Sequence, residues 1–551
     1  MVYEPIMHEM NCFALSSRID CEGLVNVRSG KEVSIQILRF AIFSFTVLVF
    51  PATFVAAADS IAVSAGLSKI NDVDLKKHVS TLAADGLEGR EAGARGGKAA
   101  AAYLRSVLQS MRQAHPVPRE KMQEFGNEYQ NLLVLLPGAD EKLKREVIVV
   151  GAHYDHVGYG KQSNSQGPIG QVHNGADDNA SGTAALLELI EAFSAQETAP
   201  SRSILFAFWD AEEVGLLGSK HWVANPTVPL QNVRFNLNID MIGRLREGRV
   251  ITVGWRSAPG LRSMLASHNV TNELLLAFQP RVIADSDHYP FYAAGIPAIH
   301  LDTDKHYDYH RPSDDVDKLN WDGLKTMTGF CYRIVLDMAN RPELPNYRRE
   351  ATLEGVPTWL NAQKPVFPPS RLGVTWEFEV SKRDIASVSR IASGSPAAKA
   401  GLRPGDRVVR FGPWQNGSFN DLKTVLQIVR NPVEIRVERP GIDGPIDFTV
   451  DLLGNPVRLG AGWIDDATLP DCAVITHVIS ESPADRAGLA AGDVILEMGG
   501  RTITSSEEMR LRVLDELGPF RFRVERQGRI RDVVIELMDG NSEAVKMSRL
   551  P

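Results

Sequence analysis

Histidine and acidic side chains capable of metal chemistry stand in five short stretches of this chain: His153 in GAHYDH, Asp177 in NGADDNASG, Glu212 and Glu213 in FWDAEEVG, Asp240 in NLNIDMIG and His310 in DYHRPSDD. Imidazole nitrogens and carboxylate oxygens are ligands for divalent ions, and this set is large enough for a pair of zinc-like ions with one glutamate left over to move protons. Any one of these residues alone reads as a helix cap, a turn former or a solvated surface group. Five together, each where a strand should give way to a loop, read as a metallohydrolase centre.

The elements that must position these residues are legible from hydrophobic patterning. Val147 to Val150, Ile204 to Trp209 and Phe235 to Ile239 are short apolar runs that predict strands. Thr183 to Phe193 has helical spacing behind the cap candidates Asn179 and Ser181. Strand therefore alternates with helix, and His153, Glu212/Glu213 and Asp240 fall just past the carboxyl ends of predicted strands, where open α/β sheets bind ligands.

These motifs resemble the co-catalytic two-zinc aminopeptidases, a family that also holds glutamate carboxypeptidases and glutaminyl cyclases; the resemblance covers about residues 70 to 340. It implies an α/β zinc-exopeptidase fold, with a mixed, mainly parallel sheet flanked by helices. Matched motif by motif, it makes His153 and Asp240 ligands of one ion, Glu213 and His310 ligands of the other, and Asp177 the carboxylate bridging both. Glu212 matches the general base, and Asp155 the acid that orients the His153 imidazole, as partners of ligating histidines usually do. Two Zn2+ are the implied cofactors, with Mn2+ or Co2+ also compatible with His and carboxylate ligands. A metal-bridging water would be acidified enough to attack a carbonyl at neutral pH, with Glu212 carrying its proton to the leaving amine.

Neighbouring residues carry weaker signals. Asp178 reads equally as part of a helix start. Ser286 to His288 resembles a segment near the family's pocket, with substrate contact and a structural role both open. Asp314 either orients His310 or caps the turn before Leu319. His156 and His173 are expected to line the pocket or lie on the surface, and Leu87 to Arg90, LEGR, resembles an early family loop with no catalytic role.

At 551 residues, 44% hydrophobic and 23% charged, the chain is too long for one domain. A formal net charge of -8 argues against nucleic acid as a partner, and no glycine-rich phosphate loop is present. The amino terminus reads as a secretory leader: Lys31 and Arg39 precede the apolar run Phe40 to Phe50, and Ala56-Ala57-Ala58 follows, so residues 1–58 are expected to be removed on export to the periplasm or exterior. Membrane attachment requires that this leader be retained. Cys12 and Cys21 would leave with it, and Cys331 and Cys472 lie in different predicted domains, which argues against a disulfide framework.

At the end of the catalytic domain, residues 59–345, Arg341 to Arg371 holds six prolines, at 342, 345, 357, 365, 368 and 369, which marks a linker, assigned to 346–367. Beyond it, SPAAKAGLRPGDRVVRF from Ser395 and SPADRAGLAAGDVILEM from Ser482 are identical at 8 of 17 positions, offset by 87 residues. A repeat of this length means two copies of one small domain. Each copy, 368–453 and 455–538, resembles a PDZ domain, a small β+α fold; residues 539–551 form a tail. The resemblance implies capture of C-terminal peptides by strand addition at loops around Leu372 to Val374 and Leu459 to Gly462, although such modules also serve only to pack on a catalytic domain. Gly462 and Pro470 are expected to loosen the second copy's strand, and removal of everything after residue 345 is expected to spare hydrolysis of small amides.

The leading expectation is an exported aminopeptidase that removes N-terminal residues from peptides or proteins. Two other readings remain open: a carboxypeptidase or glutaminyl cyclase on the same fold, and an inactive binding protein that works through its PDZ pair.

Overall fold

A computed structural model of the chain describes residues 64–357, 370–377, 386–416, 419–429, 431–454, 458–480, 482–515 and 518–537. The expected leader, the tail, Cys12, Cys21 and the second half of the expected linker lie outside the described residues.

The catalytic region is built on an eight-stranded mixed sheet. Its strands are β1 (Lys121–Phe125), β2 (Tyr129–Leu136), β3 (Val147–His153), β4 (Ser203–Trp209), β5 (Val233–Ile239), β6 (Arg249–Val253), β7 (Leu275–Phe278) and β8 (Ala298–Asp302), in the spatial order β1-β2-β4-β3-β5-β8-β6-β7. The four central strands, β4-β3-β5-β8, run parallel. β3 and β4 are buried along their whole length, as continuous apolar runs covered on both faces should be. The chain passes from β3 to β4 on one side and returns to β5 on the other, so the order reverses at β3, and the crevice opens at its carboxyl end.

Helices cover both faces. α1 (Asp72–Leu82) and α2 (Arg95–Ala114) come first, and α3 (Gly182–Ser194) packs on β3 beside the long α7 (Trp321–Asn340), which also contacts that strand. Every residue of α3 except Glu191 is buried, as expected of a largely apolar helix packed on several sides, although Glu188 is buried with the rest. Its start is fixed by Asn179, whose Oδ1 accepts from Gly182 N at 2.9 Å; Ser181, the other cap candidate, instead donates to the Asp177 carbonyl at 2.7 Å. On the other face, α4 (Leu217–Ala224) and α6 (His288–Ala293) bring Trp222 and Phe291 against Trp209 of β4. The remaining helix, α5 (Leu261–His268), leads into β7.

Two antiparallel sheets follow, with PDZ-like form. The first comprises β9 (Val374–Trp376), β10 (Ala386–Ile391), β11 (Arg407–Phe411), β12 (Trp414–Gln415), β13 (Val433–Glu438) and β14 (Ile446–Val450), with helices α8 (Pro396–Ala400) and α9 (Phe419–Ile428). The second comprises β15 (Ala461–Asp466), β16 (Leu469–Val478), β17 (Val494–Met498), β18 (Arg501–Thr502), β19 (Phe520–Arg526) and β20 (Arg529–Ile535), with helices α10 (Pro483–Arg486) and α11 (Ser506–Asp515). The repeat extends into three dimensions. Core residues Leu372, Val388, Leu422 and Val437 of the first have counterparts 87 residues on in Leu459, Ile475, Met509 and Val524 of the second. The aspartate of each Gly-Asp turn is fully buried and paired to an arginine, Asp406 to Arg439 at 2.7 Å and Asp493 to Arg526 at 2.5 Å. β15 pairs with β16 from Ala461 to Asp466, with register shifts at Gly462/Trp463 and Ile464/Asp466.

The second small domain is not an independent appendage. Leu469, Cys472, Val474 and Val494 belong to the same buried cluster as the catalytic core. Leu276 N of β7 donates to the Gln527 carbonyl at 2.8 Å, and Arg262 Nε donates to Glu525 Oε2 at 2.7 Å in an ion pair whose side chains are 4% and 1% exposed. Removal of all residues after 345 therefore uncovers apolar core, contrary to the expectation that the catalytic domain is separable there. Cys331 and Cys472 are both buried free thiols.

Candidate active site

The carboxyl ends of the central strands deliver the site. His153 is the last residue of β3, Asp240 follows β5, and Glu212 and Glu213 lie in the turn after β4. Between β3 and α3, the backbone leaves helical conformation at Asp178 (φ -98°, ψ 102°) and Asn179 (φ -122°, ψ 46°), so adjacent acids point in different directions. His310 arrives from the loop before α7, its φ of 51° turning the ring inward.

Two groups of donor atoms result. In one, His153 Nε2 lies 3.3 Å from Asp240 Oδ1 and 3.4 Å from Asp178 Oδ1. In the other, His310 Nε2 lies 3.1 Å from Asp178 Oδ2 and 3.2 Å from Glu213 Oε2. Ligands about 2.0–2.1 Å from a tetrahedral ion sit roughly 3.3–3.4 Å from one another, so the distance of each histidine nitrogen to its two carboxylate oxygens is close to that between two ligands of one such ion. Asp178 contributes one oxygen to each.

Asp177, expected to bridge, is not in this cluster. Its Oδ1 accepts from Gly243 N at 2.6 Å and Ser181 Oγ at 3.1 Å, and its Oδ2 faces His306 Nε2 at 3.2 Å. The correction is a shift of one residue, and its cause is the turn: where consecutive side chains diverge, an Asp-Asp pair gives no sequence sign of which one faces the crevice. His153, Glu213, Asp240 and His310 come together as expected, with Glu212 offering a carboxylate oxygen within 4.8 Å of donor atoms of His153 and Asp240.

The supporting contacts differ in part from expectation. Asp155 reaches His153 mainly through its main chain: Nδ1 is 3.1 Å from the Asp155 carbonyl and 3.7 Å from its Oδ1. The Asp155 carboxylate accepts instead from Glu212 N at 3.0 Å and Glu213 N at 3.3 Å, which fixes the turn carrying both glutamates. Asp314 neither orients His310 nor caps a turn; its Oδ2 accepts from Asp177 N at 3.0 Å and Asp178 N at 3.1 Å. Ser286 donates to Asp240 Oδ2 at 2.7 Å, and His288 is buried and stacked on His300 at 4.8 Å. His173 is buried, with Nε2 2.8 Å from Ser165 Oγ.

Sequence reasoning missed two contributors. Arg90 of LEGR is fully buried and donates to the carbonyls of Leu82, Tyr154, Asn174, Gly175 and Asp178, tying the His153 and Asp178 loops together. Asp85, Glu88, Glu91 and Arg95 surround it in sequence, so nothing local marks this arginine as buried. His156, expected at the pocket or surface, is buried with Nδ1 2.8 Å from Glu213 Oε1.

The electrostatics show a centre short of positive charge. Burial alone would lower the pKa of His310, yet hydrogen bonds to Asp178 and Glu213 raise it to about 10. Burial likewise opposes ionisation of Asp240, but His153 brings it down to about 2, and Glu213 is pulled below the carboxylate range by His156 and His310. Glu212 goes the other way: desolvation, reinforced by Glu213, Asp287 and Asp240, holds it well above the ordinary carboxylate range against the pull of His153. Two cations at the triads would meet the demand that the histidines otherwise meet with protons, and the donor set of imidazole and carboxylate fits zinc. Beside the triads opens a cavity of about 450 Å³, with Met241, Ile251, Val253 and Ile283 on its apolar wall and His300 and Asp302 among its polar groups.

The chain is similar to known proteins. The model of peptidase family M28 matches residues 131–335, and that of the PDZ domain matches residues 457–537. Leupeptin-inactivating enzyme 1 of Streptomyces exfoliatus is 27% identical over 359 residues, covering 64% of this chain and 76% of that protein. Aminopeptidase YwaD of Bacillus subtilis is 25% identical over 236 residues, covering 41% of this chain and 48% of the other, so the chain spans about half of that relative. Among solved structures, the LapA aminopeptidase of Legionella pneumophila is similar with a TM-score of 0.45 and 20% identity, covering 52% of this chain and 76% of that one.

Proposed function

Residues 131–335 belong to peptidase family M28 and residues 457–537 are a PDZ domain; from this premise of a metallo-exopeptidase, we propose that the protein is an exported two-zinc aminopeptidase that removes N-terminal residues from peptides. The observation that carries the proposal is the pair of donor triads sharing Asp178, with Glu212 beside them. His153, Asp240 and Asp178 would hold one ion, and His310, Glu213 and Asp178 the other. When bound, the ions supply an acidified water and polarise the scissile carbonyl.

The chain's own groups do the rest. Glu212 accepts the proton of the attacking water and returns it to the leaving amine, a role that suits a carboxylate within 4.8 Å of the donor atoms of His153 and Asp240. Asp155 holds the main chain of Glu212 and Glu213, so that one side chain serves as ligand and the next as base. The apolar wall of the cavity receives the side chain of the N-terminal residue, and nearby Asp302 and Asp285 favour a positively charged amine.

A second reading rests on Arg249, Arg281 and Lys305, which also border the cavity and could receive a C-terminal carboxylate. Metal analysis of the full chain, combined with a panel of free-amine, N-acetylated and C-terminal-carboxylate peptides, separates the two. About two ions per chain and chelator-sensitive cleavage confined to the free-amine set support the aminopeptidase; cleavage of the N-acetylated peptides from their carboxyl ends overturns it. Among the described residues no helix is long and apolar enough to cross a membrane. Export rests on the leader-like amino terminus, and N-terminal sequencing of the mature protein tests it.

The PDZ-like pair is proposed to bind peptide segments. In the second domain, β15 is tied to the start of α11: Trp463 Nε1 donates to the Ser506 carbonyl at 2.9 Å, and Asp465 accepts from Ser506 Oγ at 2.8 Å. These bonds brace one end of the groove where an added strand would lie.

A further inference from the structure

His156 is outside both triads, yet it is the nearest polar neighbour of a residue inside one. Its Nδ1 is 2.8 Å from Glu213 Oε1 and 3.8 Å from Asp178 Oδ1, so only the first is a hydrogen bond. An ionised carboxylate only accepts; Nδ1 therefore carries the proton, and a nitrogen that donates to Glu213 has no lone pair left for an ion. Nε2, the other ring nitrogen, is buried without a hydrogen-bond partner and does not face the donor groups of either triad at bonding distance. His156 thus hydrogen-bonds to the centre through Glu213 alone.

The ring is closely confined. It packs edge-on against the His310 imidazole, with centroids 5.6 Å apart and planes at 82°. Gly175 makes room for it, because a Cβ there would lie 2.5 Å from His156 Cδ2, and Gly175 also has φ of +56°. His156 N donates to the Arg90 carbonyl at 3.1 Å, which joins the imidazole to the scaffold that Arg90 builds. With Oε1 engaged, Glu213 presents Oε2 to His310, at 3.2 Å.

Building on the two-ion reading, we propose that His156 is a positioning residue for the Glu213/His310 ion: it occupies Glu213 Oε1, makes Glu213 a ligand through Oε2 alone, and thereby strengthens that site without a hydrogen bond to the His153/Asp240 site. One segment, His153-Tyr154-Asp155-His156, then serves both ions, through a ligand for the first and a hydrogen-bond donor to a ligand for the second. Partners of this kind are typically worth about 10- to 100-fold in metal affinity or activity.

The test is a titration of the metal-stripped full chain with Co2+, followed by visible absorption against a competing chelator, for wild type and for His156→Ala, His156→Asn and His156→Gln. The Asn amide nitrogen reaches the position of Nδ1, whereas that of Gln reaches toward Nε2. His310→Ala and Asp240→Ala identify which of the two binding steps belongs to which site. The expected result is a loss of about 10- to 100-fold in the step that His310→Ala abolishes, with the step that Asp240→Ala abolishes unchanged, and recovery in His156→Asn but not in His156→Gln. Wild-type affinity at both steps in His156→Ala, equal weakening of both, or no advantage of Asn over Gln overturns the assignment. A wild-type chain that takes up fewer than two ions overturns the two-ion reading and this inference with it, and is thereby distinguishable from failure of the His156 role alone.

Discussion

Replacing Arg262 by Met should undock the second small domain, and the size of the effect follows from what surrounds the side chain. Arg262 Nε donates to Glu525 Oε2 at 2.7 Å, and Nη2 donates to the Gly492 carbonyl at 3.1 Å. Its guanidinium also lies over the Phe278 ring, 4.7 Å from the centroid. Glu525 cannot turn to water in compensation: it is 1% exposed, and Oε1 already accepts from Gly528 N at 2.6 Å. Removing one partner of such a pair leaves a buried charge and costs about 3–5 kcal/mol, whereas replacing both by apolar groups of similar volume is often close to neutral. Unfolding of a multidomain chain is not one transition, so a global melt is the wrong assay. Hydrogen exchange at Leu276 N, bonded across the interface to the Gln527 carbonyl, reads docking directly. A loss of about 3 kcal/mol should speed its exchange by roughly 100-fold, and the double variant Arg262→Met/Glu525→Met should recover most of the protection. Unchanged exchange at Leu276 in Arg262→Met, or a double variant whose effect is the simple sum of the singles, would refute the claim that this pair holds the domain in place.

Other consequences are accessible to simpler measurements. Asp178→Asn should lower metal content at both sites, while Asp177→Asn should leave two ions in place and act through the loop; metal analysis giving the reverse pattern would restore Asp177 as the bridge. Glu212→Gln should bind metal normally and lose at least about a hundredfold in kcat, as removal of a general base typically does; retention of kcat within a few-fold would remove Glu212 from proton transfer. Glu188 is fully buried, and burial, with Asp74 and Glu191 nearby, raises its pKa to about 8. The folded chain then holds a proton that the unfolded chain has released. The contribution is complete below the unfolded value of about 4.5 and declines by up to about 1.4 kcal/mol per pH unit as pH rises toward 8. Glu188→Gln, which keeps an acceptor for Asn71 N, should flatten the apparent melting temperature of the metal-free chain between those values; an unchanged slope would contradict this account. Deleting residues 455–551 should destabilise the catalytic region, because Leu469, Cys472, Val474 and Val494 leave its core, and full thermal stability in the truncated chain would show that packing to be dispensable.

The strands that build the centre were legible because burial on both faces imposes an uninterrupted apolar run, and VIVVGAH and SILFAFW satisfy that condition without help from distant sequence. The residues that follow such runs are placed by backbone continuity, which is why His153, Asp240 and the Glu212-Glu213 pair are assigned to one crevice by the sequence alone. Legibility ended where conformation within a single turn decides the outcome. Asp177 and Asp178 are chemically identical neighbours, and only the departure of Asp178 and Asn179 from helical φ/ψ sends one carboxylate to the histidines and the other to Gly243 and His306.

A different limit applies to Arg90, His156 and the Arg262–Glu525 pair, whose partners lie far away in sequence. Arg90 donates to carbonyls from residue 82 to residue 178, so nothing local to LEGR could announce the role; the guanidinium supplies donors to main-chain oxygens of several loops at once. Arg262 and Glu525 are separated by 263 positions and read, one at a time, as ordinary surface charges on a helix and a strand. The consequence reaches function. Because β7 and β19–β20 are joined at Leu276 and Gln527, the second PDZ-like domain is fastened to the sheet that carries the centre, and its groove has a fixed rather than a diffusing relation to β6 and β8, whose residues Ile251 and His300 border the cavity. A peptide held there would approach the centre from one direction only, so undocking by Arg262→Met should alter kcat/KM for long peptides more than for a single aminoacyl amide. Equal effects on both substrates would mean that the docked domain stabilises the catalytic region and does no more.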